Sequence, residues 1–412
     1  MGPFSGDRSS ATVEYEPVSV KDLLIEMKDT AELLIDLSFS AVLLNSEAIA
    51  KEVLRLEEKM DVLRLRARMS LLMASRNPSD AEALAPVLGI VSGTEKISDA
   101  TGDIAKVVLE EVGLPEAMRT AIPEAVETLV RTSVVEGSEY ADRTLGEINL
   151  ESETGVRVIA IRRGDDWILN PDPSTELRID DVVLLRGPDA GIAEVYETLS
   201  DEPYTPVTVD DTDVQRFQHR PATAFLERAV DSIVLMRNLS ELAVDLSYGA
   251  ILFDNAELAE EVHNLEVEVD ALRSRFEAWT LQAAADADDP IALRGLLHLG
   301  FSTEEISDAA LEISEGVLRE IDVHPVVELA VQESDEIITR VTVNEGSALD
   351  GTSLVEGVPE EDVSINVLAV RRPEEGWVLV PGADTRLRAG DVLIAKGTRT
   401  SEETFRELAS AA

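Results

Sequence analysis

Carboxylates one helical turn apart are the first feature with chemical meaning. Glu32/Asp36, Glu57/Asp61 and Asp99/Asp103 are each spaced by four residues, so each pair shares one face of a helix. Two like charges so placed repel by about 0.2–0.5 kcal/mol in water. A hard divalent cation reverses that sign, because carboxylate oxygens suit magnesium, calcium, manganese or iron. The same spacing returns far along the chain as Glu241/Asp245, Glu266/Asp270 and Asp308/Glu312. These twelve side chains are candidate metal ligands. An acidic, solvated surface produces the same pattern, and the composition keeps that reading open.

The chain of 412 residues carries 82 acidic and 36 basic side chains, a formal charge of −46, with four histidines and no cysteine. Such acidity spread through the whole sequence would repel itself in dilute buffer, and molar salt, with a screening length of about 3 Å, removes the cost. With seven lysines against 29 arginines and 4% aromatic residues, this is the composition expected of a protein from a salt-rich cytosol. A phosphate-backbone partner needs a basic face, so nucleic acid is excluded. The missing cysteines exclude disulfide scaffolds, thiolate zinc sites and cysteine nucleophiles. At 44% hydrophobic the chain has material for folded cores. No run reaches the ~20 apolar residues of a membrane span, so the expected setting is soluble and cytoplasmic. Met1 to Glu16 lacks an apolar signal region and reads as a short disordered tail.

A second candidate is positive charge, scarce in this chain. Arg162/Arg163 and Arg371/Arg372 are adjacent strand residues, so each pair offers one guanidinium to each face of a sheet. Such arginines can hold a phosphate-bearing ligand, with Asn170 following on the next strand; the position matching Asn170 is Val380. The competing reading is surface ion pairing. The histidines, His219, His263, His298 and His324, show no metal-ligand spacing, and no Ser-His-Asp order, Gly-x-Ser-x-Gly elbow or phosphate loop is present. Catalysis is not expected.

The elements that position these groups come from a duplication. Shifted by 209 residues, Asp36-Leu37-Ser38-Phe39 returns as Asp245-Leu246-Ser247-Tyr248, and Glu95-Lys96-Ile97-Ser98-Asp99 as Glu304-Glu305-Ile306-Ser307-Asp308. After one inserted residue near Gly376, Trp167 matches Trp377 and Asp181-Val182 matches Asp391-Val392. Each unit opens with helices. One runs from about Val20 to Asn45, with Ser19 and Asp22 at its start. The next is capped by Ser46 and carries the seam Ile49, Val53, Leu56, Met60, Leu63, Ala67. Its repeat is Leu258, Val262, Leu265, Val269, Leu272, Phe276. A third helix runs from about Ser79 to Val112, and Gly113 and Pro115 end it. The period then changes. Thr128–Val135, Val156–Arg163, Trp167–Asn170 and Val182–Arg186 are short, β-branched runs, with a helical stretch near Tyr140 to Glu147 and a closing helix from about Asp189 to Leu199. The fold class is therefore α+β: two tandem units, each an antiparallel three-helix bundle followed by a β-α-β-β-β-α domain.

At these residues the chain resembles two families. The helical halves, with acidic pairs on facing helices, resemble the PhoU domain. The mixed halves resemble the TrkA C-terminal domain, or RCK-C, through Glu136-Gly137-Ser138, the run Val158 to Arg163, Asn170-Pro171 and Asp180-Asp181-Val182, with Val367 to Arg372, Pro381 and Gly390-Asp391-Val392 in the second copy. The arrangement is similar to archaeal proteins joining the two modules. The units divide as a tail over 1–17, PhoU-like bundles over 18–115 and 221–323, TrkA-C-like domains over 116–200 and 324–412, and a linker over 201–220. The resemblance implies a regulator of cation, particularly potassium, transport whose partner is a membrane transporter or channel. It implies a divalent metal at the carboxylates and cyclic di-AMP as a candidate ligand at the arginines. It also implies pairing of TrkA-C-like domains, within the chain or in a homo-oligomer. No Gly-x-Gly-x-x-Gly follows a strand, so no NAD or ATP site and no pore are expected. A metal-binding regulator of phosphate uptake is the alternative the PhoU likeness carries.

Overall fold

The computed structural model describes residues 19–110, 112, 114, 128–150, 154–164, 166–169, 171–187, 189–204, 221–287, 289–319, 321, 324–334, 337–354, 365–372, 376–379, 385–397 and 399–410. Asn170, Gly113, Pro115 and most of the 201–220 linker lie outside them.

The first unit begins with α1 (Val20–Leu43), α2 (Glu47–Ala74) and α3 (Pro78–Leu109). The Ser46 side chain accepts from the Ile49 amide at 3.4 Å, capping α2 as expected. Ser19 stands at the N-cap of α1 but makes no side-chain cap bond. Asn77 caps α3, which takes Pro78 in its first turn, where a missing N–H costs nothing. The seam residues from Ile49 to Ala67 are all buried. A four-strand antiparallel sheet follows: β1 (Thr128–Ser133), β2 (Arg157–Arg163), β3 (Asp166–Leu169) and β4 (Val182–Gly187), in the order β1-β4-β2-β3. The helical stretch expected near Tyr140 is shorter than its pattern, a single turn α4 (Leu145–Ile148) closed by a Thr144/Glu147 capping box. Helix α5 (Asp189–Ser200) completes the unit.

The second unit repeats the order with α6 (Pro221–Leu252), α7 (Ala256–Asp286), α8 (Arg294–Leu318), α9 (Pro325–Glu333), β5 (Ile337–Thr342), β6 (Ile365–Arg372), β7 (Gly376–Leu379), β8 (Val392–Gly397) and α10 (Arg399–Ala409). Its sheet has the matching order β5-β8-β6-β7. Helix α9, at the start of the 324–412 segment, packs against α1 and α6 as well as β5.

The two halves meet mainly along α3 and α8, which run antiparallel. Gly89 faces the Glu312 carbonyl, Gly93 faces Ala309 and Ile313, and Gly316 faces Pro86. A Cβ at Gly93 would lie 2.8 Å from the Ala309 carbonyl oxygen, so glycine lets the helices close to this distance. The main contact between halves is thus helical, rather than the sheet-to-sheet pairing that the TrkA-C likeness suggests.

Period-two alternation gives each sheet two buried faces. In β4, Val183 and Leu185 pack toward α5, while Leu184 joins the helical core. In β8, Leu393 and Ala395 pack with Phe405 of α10, while Ile394 joins the helices. The inner faces of both sheets and all the bundle helices therefore share one core.

The copies fill that core differently. Where the first unit has Ala67 and Val91, the second has Phe276 and Gly300, and a Cβ at Gly300 would lie 2.3 Å from the Phe276 ring. A large residue on α7 is matched by a glycine on α8. Gly300→Val should destabilise by ~1–3 kcal/mol through overpacking, and Phe276→Ala by ~3–5 kcal/mol through a cavity. The double variant Phe276→Ala/Gly300→Val, which rebuilds the first unit's pairing, should lose less than the sum in urea unfolding; additive losses would show that the two positions are not packed on each other.

Candidate functional site

The sequence pairs Glu32 with Asp36 and Glu241 with Asp245. The helices extend each pair backward by one more turn to a cation, giving Lys28-Glu32-Asp36 on α1 and Arg237-Glu241-Asp245 on α6. Lys28 donates to Glu32 at 2.8 Å, and Arg237 to Glu241 at 2.9 and 3.0 Å. Both cations are buried, each with its charge over a ring of the other half. Lys28 Nζ lies 5.4 Å from the Tyr248 ring centroid, and the Arg237 guanidinium 4.8 Å from that of Phe39. Burial pushes the Tyr248 phenol upward, and its hydroxyl lies 3.5 Å from that of Thr94.

The second carboxylate of each stripe reaches a sheet. Alternation along β4 puts Arg186 on the same face as Leu184, where its Nη1 lies 2.8 and 2.9 Å from the two Asp36 oxygens. In the second unit Lys396 of β8 lies 2.8 Å from Asp245 and 3.3 Å from Glu32, a residue of the first half. Each of Glu32, Asp36, Glu241 and Asp245 is thus paired with a cation of the protein itself. An ammonium or guanidinium stands where the spacing suggested a metal. The cations of the sheets escape a reading limited to carboxylate spacing, although the match of Arg186 to Lys396 in the two repeats carries the signal.

The other eight candidates lie on the outer faces of α2, α3, α7 and α8. Lys106 sits between Asp103 at 2.7 Å and Glu57 at 3.8 Å. Gly102 has no side chain to obstruct the Glu57 carboxylate, which would lie 2.2 Å from a Cβ there. Asp61 bonds Arg64 at 2.9 Å, and Asp270 lies 3.7 Å from Arg273. Glu266 is 3.6 Å from His263 Nδ1, and Lys96 reaches across the halves to Glu312 at 2.5 Å. Asp308 lines a cleft with Lys96 and His263. Among the described residues no group of three or more carboxylate or imidazole side chains is placed to hold a metal ion.

Burial raises the carboxyl pKa values of Glu57, Asp99, Glu266, Glu305 and Asp308, and neighbouring carboxylates add to it. Symmetry has a cost here: Lys96 faces Glu312, but the repeat of that pair sets Glu305 against Asp103, and both the Asp103 and the Asp99 charge push Glu305 upward.

Arg162, Arg163 and Arg372 bond within their own small domains, and Arg371 reaches helix α7. Arg163 grips Asp181 with two bonds, at 2.9 and 2.7 Å, and donates to the Glu176 carbonyl. Asp181 also accepts from the Arg178 amide at 2.8 Å, closing the turn before β4. In the repeat, Arg372 lies 3.8 Å from Asp391 and bonds the Arg386 carbonyl. Arg163 and Arg372 thus brace the turns of their own sheets. Arg162 donates to the Gly164 carbonyl, and Arg371 meets Glu257 of α7 at 2.7 Å in an exposed pair. Trp167 and Trp377 pack against the shared core.

Two outcomes follow from these charges. Breaking the Asp36–Arg186 pair by Arg186→Met should cost ~3 kcal/mol, because a buried carboxylate is left unmatched. Lys396→Met should cost more, since it leaves Asp245 and Glu32 together; equal losses in denaturant unfolding would contradict the bridging role. The pH response has a definite sign. A carboxyl raised above its unfolded value makes stability fall as pH rises through the window from the ordinary carboxyl value to the raised one. Glu57→Gln should flatten that part of the pH–melting curve and raise the melting temperature at pH 7, and an unchanged curve would contradict the assignment.

Comparison with known proteins agrees with this anatomy. The family model described as the PhoU domain matches residues 24–108 and 233–317, and that of the TrkA-C domain matches 129–200 and 338–410. The Ktr system potassium uptake protein A of Vibrio alginolyticus is 35% identical over 71 residues, which are 17% of this chain and 32% of that protein. The chain thus spans about a third of the length of this curated relative. Among solved structures, the GsuK RCK domain is 14% identical, with 69% of this chain and 63% of that chain covered and a TM-score of 0.17. The GsuK channel bound to NAD is 12% identical, with 78% and 65% covered and a TM-score of 0.19. Scores this low carry no structural argument. The chain belongs to the proteins built from PhoU and TrkA-C domains, and it carries that pair twice in tandem.

Proposed function

We propose that this chain is a cytoplasmic regulatory protein of cation transport across a membrane, with potassium as the ion and a membrane transporter or channel as the partner. The reading is supported by the TrkA-C matches and by the stretch shared with a potassium uptake protein. The observation that carries it is structural: each TrkA-C sheet is seated on PhoU helices through a buried ion pair, Arg186 to Asp36 and Lys396 to Asp245. A ligand that shifts a sheet must therefore move α1 or α6. Among the described residues no helix is long and apolar enough to cross a membrane, so transport itself belongs to the partner.

The chain acts by binding rather than by catalysis. A small phosphate-bearing ligand, with cyclic di-AMP as a candidate, would use Arg162 and Arg371, the members of each pair not tied to Asp181 or Asp391. The PhoU matches keep a metal-dependent role in phosphate uptake as the second reading. The four-residue pairs Glu57/Asp61 and Asp99/Asp103, on the neighbouring helices α2 and α3, are the groups it would use.

Deletion of the gene separates the two. The cation reading expects altered cell potassium with phosphate-responsive genes unchanged. Derepressed phosphate genes with normal potassium would overturn it in favour of the second.

A further inference from the structure

One cleft belongs to none of the interactions above. It lies between α1, α2 and the edge strand β3 and encloses about 420 Å³. Asp22, Glu26, Asp29 and Leu33 follow one another on α1 at steps of four, three and four, so three carboxylates form a rim along one stripe. The stripe is ~16 Å long at 1.5 Å per residue. Below the rim the floor is apolar: Ile25 and Leu33 of α1, Leu56 of α2 and Leu169 of β3.

Two details show what this surface recognises. Lys59 of α2 places an ammonium 2.8 Å from Glu26 in an exposed pair, so one rim carboxylate already faces a cation of the chain itself. Thr30 is 5% exposed and lines the cleft, and none of the described hydrogen bonds uses its hydroxyl. A hydroxyl on a largely buried residue that opens into a cleft beside an acidic rim can accept from an N–H donor entering the cleft.

The second half has lost this chemistry at the same positions. Glu26, Asp29, Thr30 and Lys59 correspond to Leu235, Asn238, Leu239 and Glu268. The rim is therefore a property of the first half, and the acidity of the chain as a whole does not explain it.

We propose that the cleft docks a basic amphipathic segment of a partner protein, its Lys or Arg side chains on Asp22, Glu26 and Thr30 and its apolar side on Ile25 and Leu56. Segments of membrane proteins facing the cytoplasm are enriched in Lys and Arg, which is the charge this rim complements. A stripe of three turns matches a helix or strand rather than a small ion. The inference rests on the proposed regulatory role and names the chemistry of its partner.

The test uses the full chain at molar KCl, where general attraction to a charge of −46 is screened. The probe is a fluorescent 16-residue peptide of alternating Leu and Lys turns, followed by anisotropy. Asp22→Asn/Glu26→Gln should weaken binding at least tenfold, and Ile25→Lys should do the same by placing a cation on the floor. Asp231→Asn, at the matching position of the second half, should have no effect. Helical circular dichroism identifies any variant that fails to fold, and the two independent variants keep the result decisive. Absence of binding, or equal loss in the Asp231→Asn control, overturns the docking site. The gene-deletion phenotype would stand in that case, so failure here is distinct from failure of the cation reading.

Discussion

Two aspartates buried in helical cores must each be given a positive charge, and that requirement organises the molecule. Asp36 and Asp245 are 5% and 8% exposed, and an ionised carboxylate in such a place is sustained only by a close cation and hydrogen bonds. On the helices themselves Lys28 pairs with Glu32 and Arg237 with Glu241, one turn along. The cation facing each aspartate comes from the last strand of each sheet, so a sheet cannot leave its bundle without stranding a charge. Shared apolar packing around Leu184 and Ile394 reinforces the same seat. Salt that screens the outer carboxylates acts far less on these enclosed pairs. The acidic surface and the internal charges therefore answer to different physics.

The two copies are alike in plan and unlike in detail. Arg186 makes a two-oxygen contact within its own half, whereas Lys396 divides its ammonium between Asp245 and a glutamate of the other half. A guanidinium has a fixed planar fork, and an ammonium is a point charge that can serve two acceptors. The volume exchange at Ala67/Val91 and Phe276/Gly300 shows the same freedom in the apolar core. Fusion of the halves into one chain permits each position to change without its counterpart.

Much of this fold was legible in the sequence. The 209-residue repeat, the four-three seam on α2 and α7 and the β-branched runs place nearly every described helix and strand, because period and turn chemistry are local properties. The site was less legible. Spacing of four reveals that Glu32 and Asp36 share a face, but not that Arg186, 150 residues away, comes to meet them. Likewise Arg163 looked available because Asp181 is distant in sequence and close only after β2 and β4 pair. Partners supplied by tertiary contact have no periodicity. The cleft on α1 was missed for a related reason: its carboxylates follow a helical stripe, but its floor is assembled from three elements.

The bond from Lys396 to Glu32 joins residues 364 positions apart. Glu32 lies in the first described helix, and its second cation, Lys396, belongs to the last described strand. Lys28 and Phe39 in that helix likewise await Tyr248 and Arg237 from the later half. The early half therefore leaves the ribosome with an interior that only the late half can finish. Closure of the molecule is a late, long-range event, of the kind that sets folding speed and exposes incomplete cores to the chaperone machinery.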